Sequence, residues 1–599
     1  MAKNLRIRSE ELGALRLGGK KVSSTKSKNS DSSIDRNLKL KNFPNPKSQS
    51  SLFIALVSGI LMGLATAPVG AWFLAWVALA PLWVLVKEKT LHPLSFILHP
   101  LVWGIGYHGV ALFWITGIHP MTWMGVPWLS SLAIALFCWT FITLWGAALV
   151  VAWAVGMRVI LNLRLPILDW LKLAVLQKTW KPKSQQIIQN PKSKIQNSIT
   201  RVPIGVALWC ALESLWSAGP LWWSSLSYTQ SPHNLAILHL GQLSGPISVT
   251  AAIVAVNALL AEAWINRKPQ KASPLLPSAS SAPLWFVPHK GYLSIAAGLF
   301  ISLHLIGYNL YSRPLTQPPE TALKVGIIQG NIPNKIKLYP EGLRRAIEGY
   351  TTGYQTLAGQ GVDAVLTPEG ALPFRWNYVT RTSFYAAVKE KGVVAWLGAF
   401  GDWGNSYTNS LFTLTGTGEI YSRYNKAKLV PIGEYIPFEQ FLGDLIGRLS
   451  PLDEHQVAGA SDQVFDTPFG RAIASICYES AFPQHFRHQA AAGGQFILSP
   501  SNDAHYSAAM PAQHHALDIM RAIETDRWAV RATNTGYSAF VEPHGRTLWI
   551  SGHNTYEIHA ETIYRRQTKT LYVLWGDWLT PLLLVAGTLA WFLNDKLES

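Results

Sequence analysis

Eight stretches of the chain are too apolar for the surface of a water-soluble protein. They run near Leu52–Ala67, Ala71–Val86, Phe96–Ile118, Leu129–Val155, Pro203–Ala218, Leu235–Ile265, Tyr292–Leu310 and Leu579–Leu593. A helix needs about 20 mostly apolar residues to cross the hydrocarbon core of a bilayer. The expected fold class therefore begins with a polytopic α-helical membrane domain of about eight spans. The first two stretches are short and share the turn "APVG". Fusing them into one re-entrant element would invert everything downstream.

Loop charges agree with eight crossings, because Lys and Arg are retained on the cytoplasmic side. The tail with Lys20, Lys21, Lys26 and Lys28, the loop with Lys87 and Lys89, the loop from Arg158 through Lys194, and the loop with Arg267, Lys268 and Lys271 all fall on one side. The intervening loops "HPMTWMGVPW" and "SAGPLWWSSLSYTQSPHN" carry neither Lys nor Arg. The segment between spans seven and eight is thereby placed outside. A formal net charge of +17 is explained by this topology better than by nucleic acid, and no nucleic-acid partner is expected. The basic tail, residues 1–50, is too long before its first apolar core for a cleaved signal peptide and is expected to be disordered. "KTWKPKSQQIIQNPKSKIQNS" and "PQKASPLLPSASSAP" read as solvated linkers.

From Ala322 to about Arg566 the pattern changes. "LKVGIIQGN", "VDAVLTPEG", "GVVAWLGAFG", "GRAIASICYES", "GGQFILSPSND" and "WAVRATNTG" are short aliphatic runs ending in small or polar residues, as strands do. Helix-like stretches lie at Leu343–Ala358, Arg381–Lys391 and Ala512–Asp526, and "NSLFTLTGTGEIYSRYNK" reads as a hairpin turning at Gly416 and Gly418. The segment is an α/β domain. In such sheets polar residues just past strand ends converge on a site, and Glu369, Cys477 and Asn502 hold that kind of position.

The three cysteines, Cys138, Cys210 and Cys477, lie far apart, the first two inside apolar stretches, so neither a disulfide framework nor a zinc site is expected. A cysteine nucleophile needs a proton acceptor and donors for the oxyanion it creates. Glu369 is positioned to be the base, its pKa expected to rise toward neutrality in a dry pocket. Lys426 is positioned to stabilise thiolate and oxyanion, with backbone N–H groups after Cys477 as further donors. Taken singly, each has a plainer reading: a packed thiol, a solvated turn, a surface lysine. The joint order Glu, Lys, Cys, each at a strand or hairpin end, favours chemistry.

That order resembles the nitrilase superfamily, with its Glu-Lys-Cys triad on a four-layer αββα sandwich. Together with the apolar segments, the chain resembles the bacterial apolipoprotein N-acyltransferase family. The likeness covers roughly Leu52 to Leu593 and rests on "VGIIQGNIP", "TPEGALPF", "YNKAKLVPIGEYIPFE", "ICYESAFP", "SNDA", "RATNTGYSAF" and the "GDW" at Gly576–Trp578. It implies Cys477 as nucleophile, Glu369 as general base and Lys426 as oxyanion-stabilising lysine, with Lys428 the nearer decoy. Glu434 matches a second functional glutamate, and Tyr478 and Glu479 match the two residues after the nucleophile. Two positions depart from the family: Leu338 where tryptophan is common, and His505 in "SNDAHYS". Both touch loops thought to cover the site, and Trp376 or Tyr339 is a candidate replacement for the lost aromatic.

The resemblance implies two-step acyl transfer. A membrane phospholipid acylates Cys477, and the α-amine of an S-diacylglyceryl-cysteine apolipoprotein then takes the chain from the thioester. No cofactor or metal is implied. The expected location is the bacterial inner (plasma) membrane, multi-pass, with an extracytoplasmic, periplasmic α/β domain. The expected divisions are the tail at 1–50, spans one to seven in 51–311, the catalytic domain in 322–566 and the last span at 578–594. Trp114, Trp123, Trp128, Trp222 and Trp223 read as an interfacial belt, and Glu213 is expected to face the bundle interior. Two rivals remain: a membrane-tethered nitrilase-type amidase hydrolysing C–N bonds, and a non-enzymatic scaffold or transporter.

Overall fold

A computed structural model describes residues 46–87, 95–162, 191–267, 289–431, 433–435 and 456–598. Most of the expected basic tail, all of "PQKASPLLPSASSAP" and residues 178–190 of the other linker fall outside them; residues 191–198, expected as solvated linker, are instead the first turns of the Pro191–Ala218 helix. Each of the eight apolar stretches carries helix, but not always the continuous helix expected. Continuous helices run over Pro46–Leu64, Ser95–Ala111, Trp128–Asn162, Pro191–Ala218, His289–Tyr311 and Leu579–Glu598. Among the described residues, Trp128–Leu161, Pro246–Ile265 and His289–Tyr311 are long and apolar enough to cross a membrane, and Gln49–Leu64, Trp72–Lys87, Leu235–Ser244 and Leu579–Phe592 are shorter apolar helices.

Three expected single spans are interrupted: Phe96–Ile118 is α-helix only to Ala111 and then a 3₁₀ turn at Phe113–Ile118, and two others break within their length. Leu235–Ile265 becomes two short turns, Leu235–Leu238 and Gly241–Ser244, followed by the Pro246–Ile265 helix. The break is set by Gly245, whose φ of +72° lies in the left-handed region open to glycine, and by Pro246 at the new helix start. Ala71–Val86 becomes a 3₁₀ turn at Trp72–Trp76 and a helix at Ala80–Lys87. Its interruption is closed from another helix: Asn257 Oδ1 accepts from Leu79 N and Ala80 N, each at 2.9 Å, while its Nδ2 donates to Ala75 O at 2.9 Å. Asn257→Leu removes the acceptor of Leu79 N and the donor to Ala75 O, both buried, at about 1–3 kcal/mol each, while Ala80 N keeps Val77 O at 3.2 Å. A lowered unfolding midpoint of the detergent-solubilised protein is the expected result.

Buried acidic groups in this region are hydrogen-bonded, and one of them is ion-paired. Glu262 takes two hydrogen bonds from Arg201, at 2.8 and 2.7 Å, and one from Trp83 Nε1 at 3.2 Å. Glu213 is buried as expected and accepts from Thr250 Oγ1 at 2.6 Å, from Leu226 N and Trp209 Nε1 at 3.3 Å, and from Ser225 Oγ. Asp577 of "GDW" accepts from Thr580 N at 3.1 Å, capping the final helix, and from Ser214 Oγ at 2.9 Å.

Among the described residues the second half is built on thirteen strands: β1 Ala322–Gln329, β2 Ala364–Leu366, β3 Leu372–Arg375, β4 Val394–Trp403, β5 Ser406–Leu414, β6 Ile420–Asn425, β7 Phe465–Thr467, β8 Gly470–Ala474, β9 Ile497–Ser501, β10 Ala529–Thr533, β11 Ala539–Val541, β12 Thr547–Ile550 and β13 Glu557–Tyr564. One sheet has the order β13-β1-β2-β4-β5-β6 with β3 beside β4; the other runs β12-β11-β10-β9-β8-β7. Alternation along β1 shows how the layers form. Leu323, Val325 and Ile327 face the inter-sheet core with Leu498, Val530 and Phe540, while Ile328 faces outward onto Tyr350, Tyr354 and Leu357 of the Pro340–Gly359 helix. The other sheet's outer face is covered by the helices Pro483–Ala491 and Ala509–Thr525. The result is an αββα sandwich. Its second helical layer shares one apolar core with the N-terminal helices, since Leu517, Met520 and Ile523 belong to the same buried cluster as Trp103, Trp153, Trp209 and Ile253.

Candidate active site

Three strand ends bring the expected residues together. Glu369 follows β2, on a turn completed by Gly370 at φ +53°. The turn lies so close to β4 that a side-chain carbon on Gly398 would sit 2.0 Å from Pro368 O. Lys426 follows β6, its backbone N bonded to Asn409 O at 2.8 Å. Its Nζ lies between two carboxylates, 2.8 Å from Glu369 Oε1 and 2.7 Å from Glu434 Oε1. Asn409 Nδ2 adds a 2.7 Å hydrogen bond to the same Glu369 oxygen. Cys477 follows β8 and opens the 3₁₀ turn Cys477–Ala481. Lys426 is 1 % exposed, and Glu369 and Cys477 7 % each, so these groups act on one another with little water between them.

The charge state differs from the one expected. Burial pushes the Glu369 carboxyl up, but the Lys426 ammonium, then Lys337 and the Asn409 amide, more than reverse this and hold its pKa below the usual glutamate value. The raised pKa expected from a dry pocket is therefore corrected: the pocket is dry but contains a cation. Burial lowers Lys426, but Glu369 and Glu434 outweigh it and hold it well above the usual lysine value. Burial and then the Glu369 charge push the Cys477 thiol well up, against the pull of Lys426. The arrangement thus sets a neutral thiol near an ionised carboxylate and an ammonium.

Cys477 has φ +53°, which a non-glycine residue adopts at a cost of about 1–3 kcal/mol. Neighbouring groups hold it there. Glu479 is fully buried, and its carboxylate accepts from Ile476 N at 2.7 Å, Ala427 N at 2.7 Å, Lys428 N at 3.1 Å and Tyr424 Oη at 2.9 Å. It clips the cysteine turn to the lysine loop. Glu434 likewise accepts from Val430 N at 2.7 Å, which fixes its loop against Lys426. Tyr478 stacks on Trp223, with ring centroids 6.0 Å apart, and donates to Pro220 O. The decoy Lys428 points elsewhere, its Nζ 5.3 Å from the centre of the Phe482 ring.

Trp114 and Trp223 are not belt residues. Both are buried and donate to Gln513 Oε1 at 3.0 Å. Trp376 lies on Phe412 in the outer helical layer and Tyr339 is exposed. His505 approaches the ring of Trp123 at 6.4 Å. Asn502 bonds Asn334 and Asn534 through its side chain, and its backbone amide pulls the Cys477 pKa downward against burial.

Several site residues escape sequence reasoning. Lys337 lies in the divergent "NKIKLYP" stretch; it is buried, its Nζ donates to Glu369 O at 3.2 Å, and burial brings its pKa down to about 8. Asn409 sits on a hairpin strand that reads as ordinary. His514 binds Asp503 Oδ1 through Nδ1 at 3.1 Å and Cys477 O through Nε2 at 2.9 Å. One signal was available for it: His514, Asp518 and Arg521 recur at i, i+4 and i+7, a polar stripe on the buried face of an amphipathic helix. Ligand-type atoms of Cys477, Asp503 and His514 lie within 4.8 Å of one another. Asp503 is already engaged by Arg531 Nη2 at 2.9 Å, so these groups form a hydrogen-bonded clamp.

Two family models match the chain. Carbon-nitrogen hydrolase matches residues 324–570, and apolipoprotein N-acyltransferase N-terminal domain matches residues 58–259. A protein of Nostoc sp. named apolipoprotein N-acyltransferase is 64% identical over 536 residues, covering 89% of this chain and 97% of the relative. One of the same name from Synechocystis sp. is 47% identical over 544 residues, covering 88% and 98%. Among solved structures, a variant of the Nesterenkonia AN1 amidase from the nitrilase superfamily aligns with 17% identity over 43% of this chain and 95% of its own, at a TM-score of 0.33.

Proposed function

Because the chain belongs to the apolipoprotein N-acyltransferase family, we propose that it moves a fatty acyl group from a membrane phospholipid to the α-amine of an S-diacylglyceryl-cysteine apolipoprotein, through a thioester on Cys477. The observation that carries this reading is the buried Glu369–Lys426–Glu434 group beside Cys477, on a sandwich whose helical layer continues into the apolar helices. Glu369 takes the thiol proton as sulfur attacks the ester carbonyl. Lys426 and backbone N–H groups after Cys477 balance the oxyanion. The intermediate collapses with cleavage of the ester C–O bond, and Glu369 returns the proton to the departing lysophospholipid. The lipoprotein amine then attacks the thioester and gives its proton to Glu369; the C–N bond forms, the C–S bond breaks, and the thiolate is reprotonated. Glu434, Tyr478 and Glu479 hold these groups in place.

Both substrates are lipids, each anchored by about 0.8 kcal/mol per buried CH₂, so a site joined to apolar helices acts without extracting them. We place the helices across the bacterial inner membrane in eight crossings, the broken elements included, with the sandwich on the periplasmic side, as loop charge favours. The corresponding divisions are 1–50, 51–311, 322–566 and 578–594.

Incubating the purified protein with phospholipid and measuring intact mass tests this reading. An acyl adduct on the wild type, absent from Cys477→Ser, together with released lysophospholipid, is the expected result. Release of free fatty acid without transfer to a diacylglyceryl peptide would instead support a hydrolase.

A further inference from the structure

The nucleophile's backbone is held from the helix Ala509–Thr525, and that helix is itself fastened to the N-terminal helices one residue away. Gln513 uses its whole amide. Its Oε1 accepts from Trp114 Nε1 and Trp223 Nε1, each at 3.0 Å, and its Nε2 donates to Ala67 O at 2.9 Å and Ala111 O at 2.8 Å. The next residue, His514, bonds Cys477 O at 2.9 Å and Asp503 Oδ1 at 3.1 Å. Asp503 is fixed by Arg531 Nη2 at 2.9 Å, and Arg531 Nη1 bonds Asp518 Oδ2 at 2.7 Å. Asp518 closes the ring of contacts by accepting from Ser480 Oγ at 2.6 Å, within the cysteine turn itself. Trp223, a Gln513 partner, also stacks on Tyr478 and meets the His514 ring at 5.7 Å.

We propose that His514 is a positioning residue that holds Cys477 in its left-handed conformation through the carbonyl, and that Gln513 makes this hold depend on the docked N-terminal helices. The thiol then meets Glu369 and Lys426 only while the Ala509–Thr525 helix is seated on Trp114 and Trp223. His514 touches no reacting atom; it acts through the direction in which Cys477 points its sulfur. The proposal rests on Cys477 being the nucleophile.

The test is the rate at which iodoacetamide alkylates Cys477 in the full chain, read by peptide mass so that Cys138 and Cys210 are scored separately. His514→Ala is expected to slow this on the order of 10-fold to 100-fold, the scale of a misplaced reacting group. His514→Gln, which keeps an N–H for the carbonyl, is expected to recover most of the rate, a rescue that loss of packing alone does not give. Gln513→Met is expected to slow Cys477 alkylation by a similar factor and to lower kcat for acyl transfer with little change in KM for phospholipid. If His514→Ala does not fold, Gln513→Met and His514→Gln still decide. Alkylation at the wild-type rate in Gln513→Met removes the link to the N-terminal helices, and the wild-type rate in His514→Ala removes the positioning role. A wild type whose Cys477 is alkylated readily but never acylated by phospholipid overturns the transferase reading while the positioning result stands.

Discussion

Lys426→Met is expected to cost the protein both its activity and a large part of its stability. The ammonium lies 2.8 Å from Glu369 and 2.7 Å from Glu434 and is 1 % exposed. Its removal leaves two buried carboxylates facing each other with no cation between them, and breaking a buried pair in this way costs about 3–5 kcal/mol. The pH dependence gives the sign. With Lys426 present, the Glu369 pKa is held below the usual value, so its contribution to stability is present above the ordinary glutamate range and is lost as pH falls through the lowered value. Without Lys426 both carboxyls favour the neutral form, and their penalty shrinks as the solution becomes acidic. Unfolding midpoints of wild type and variant, followed from pH 8 down to about 4, are therefore expected to lie furthest apart at the alkaline end and to converge at the acidic end. A gap that stays constant with pH overturns the role of Lys426 as counter-ion.

Glu369→Gln is expected to leave the fold intact and to slow thioester formation by about 10²–10⁴-fold, the usual worth of a positioned base. Glutamine keeps an oxygen for Asn409, and Lys426 keeps Glu434, so no charge is left unpaired. Because the Glu369 carboxyl is held below its ordinary pKa, the acidic limb of the wild-type rate is expected below the range of a free glutamate, with loss of rate as pH falls through the lowered value. The variant lacks that limb. Single-turnover acylation across the acidic range measures both, and a variant with wild-type acylation places the base elsewhere.

How much of this could be read from the sequence depends on the range of the forces involved. Strands such as Ala322–Gln329 and helices such as Pro340–Gly359 follow from apolar periodicity, which is local, and the order of Glu369, Lys426 and Cys477 along the chain was visible beside it. The interruptions at Leu79 and Gly245 were not. Uninterrupted apolar sequence looks like uninterrupted helix, and the groups that close the first break belong to Asn257, nearly 180 positions away. The ionisation of Glu369 was misjudged for a related reason: burial can be inferred from a strand end, but a cation within 3 Å cannot. Lys337 stood in a segment notable for a missing tryptophan, and nothing there announces that the lysine itself turns inward. Trp114 and Trp223 read as interfacial because tryptophan near a helix end usually sits at the membrane surface; a single amide, Gln513, takes them inside.

The apolar cluster that runs from Trp103 and Ile253 into Leu517, Met520 and Ile523 bears on how the protein can be handled. A chain shortened to begin near Ala322 keeps every residue assigned to the chemistry, yet it turns one broad oily wall of the sandwich toward water. Surfaces of that kind drive clumping. Soluble expression of the second half alone is therefore a poor route to a working preparation.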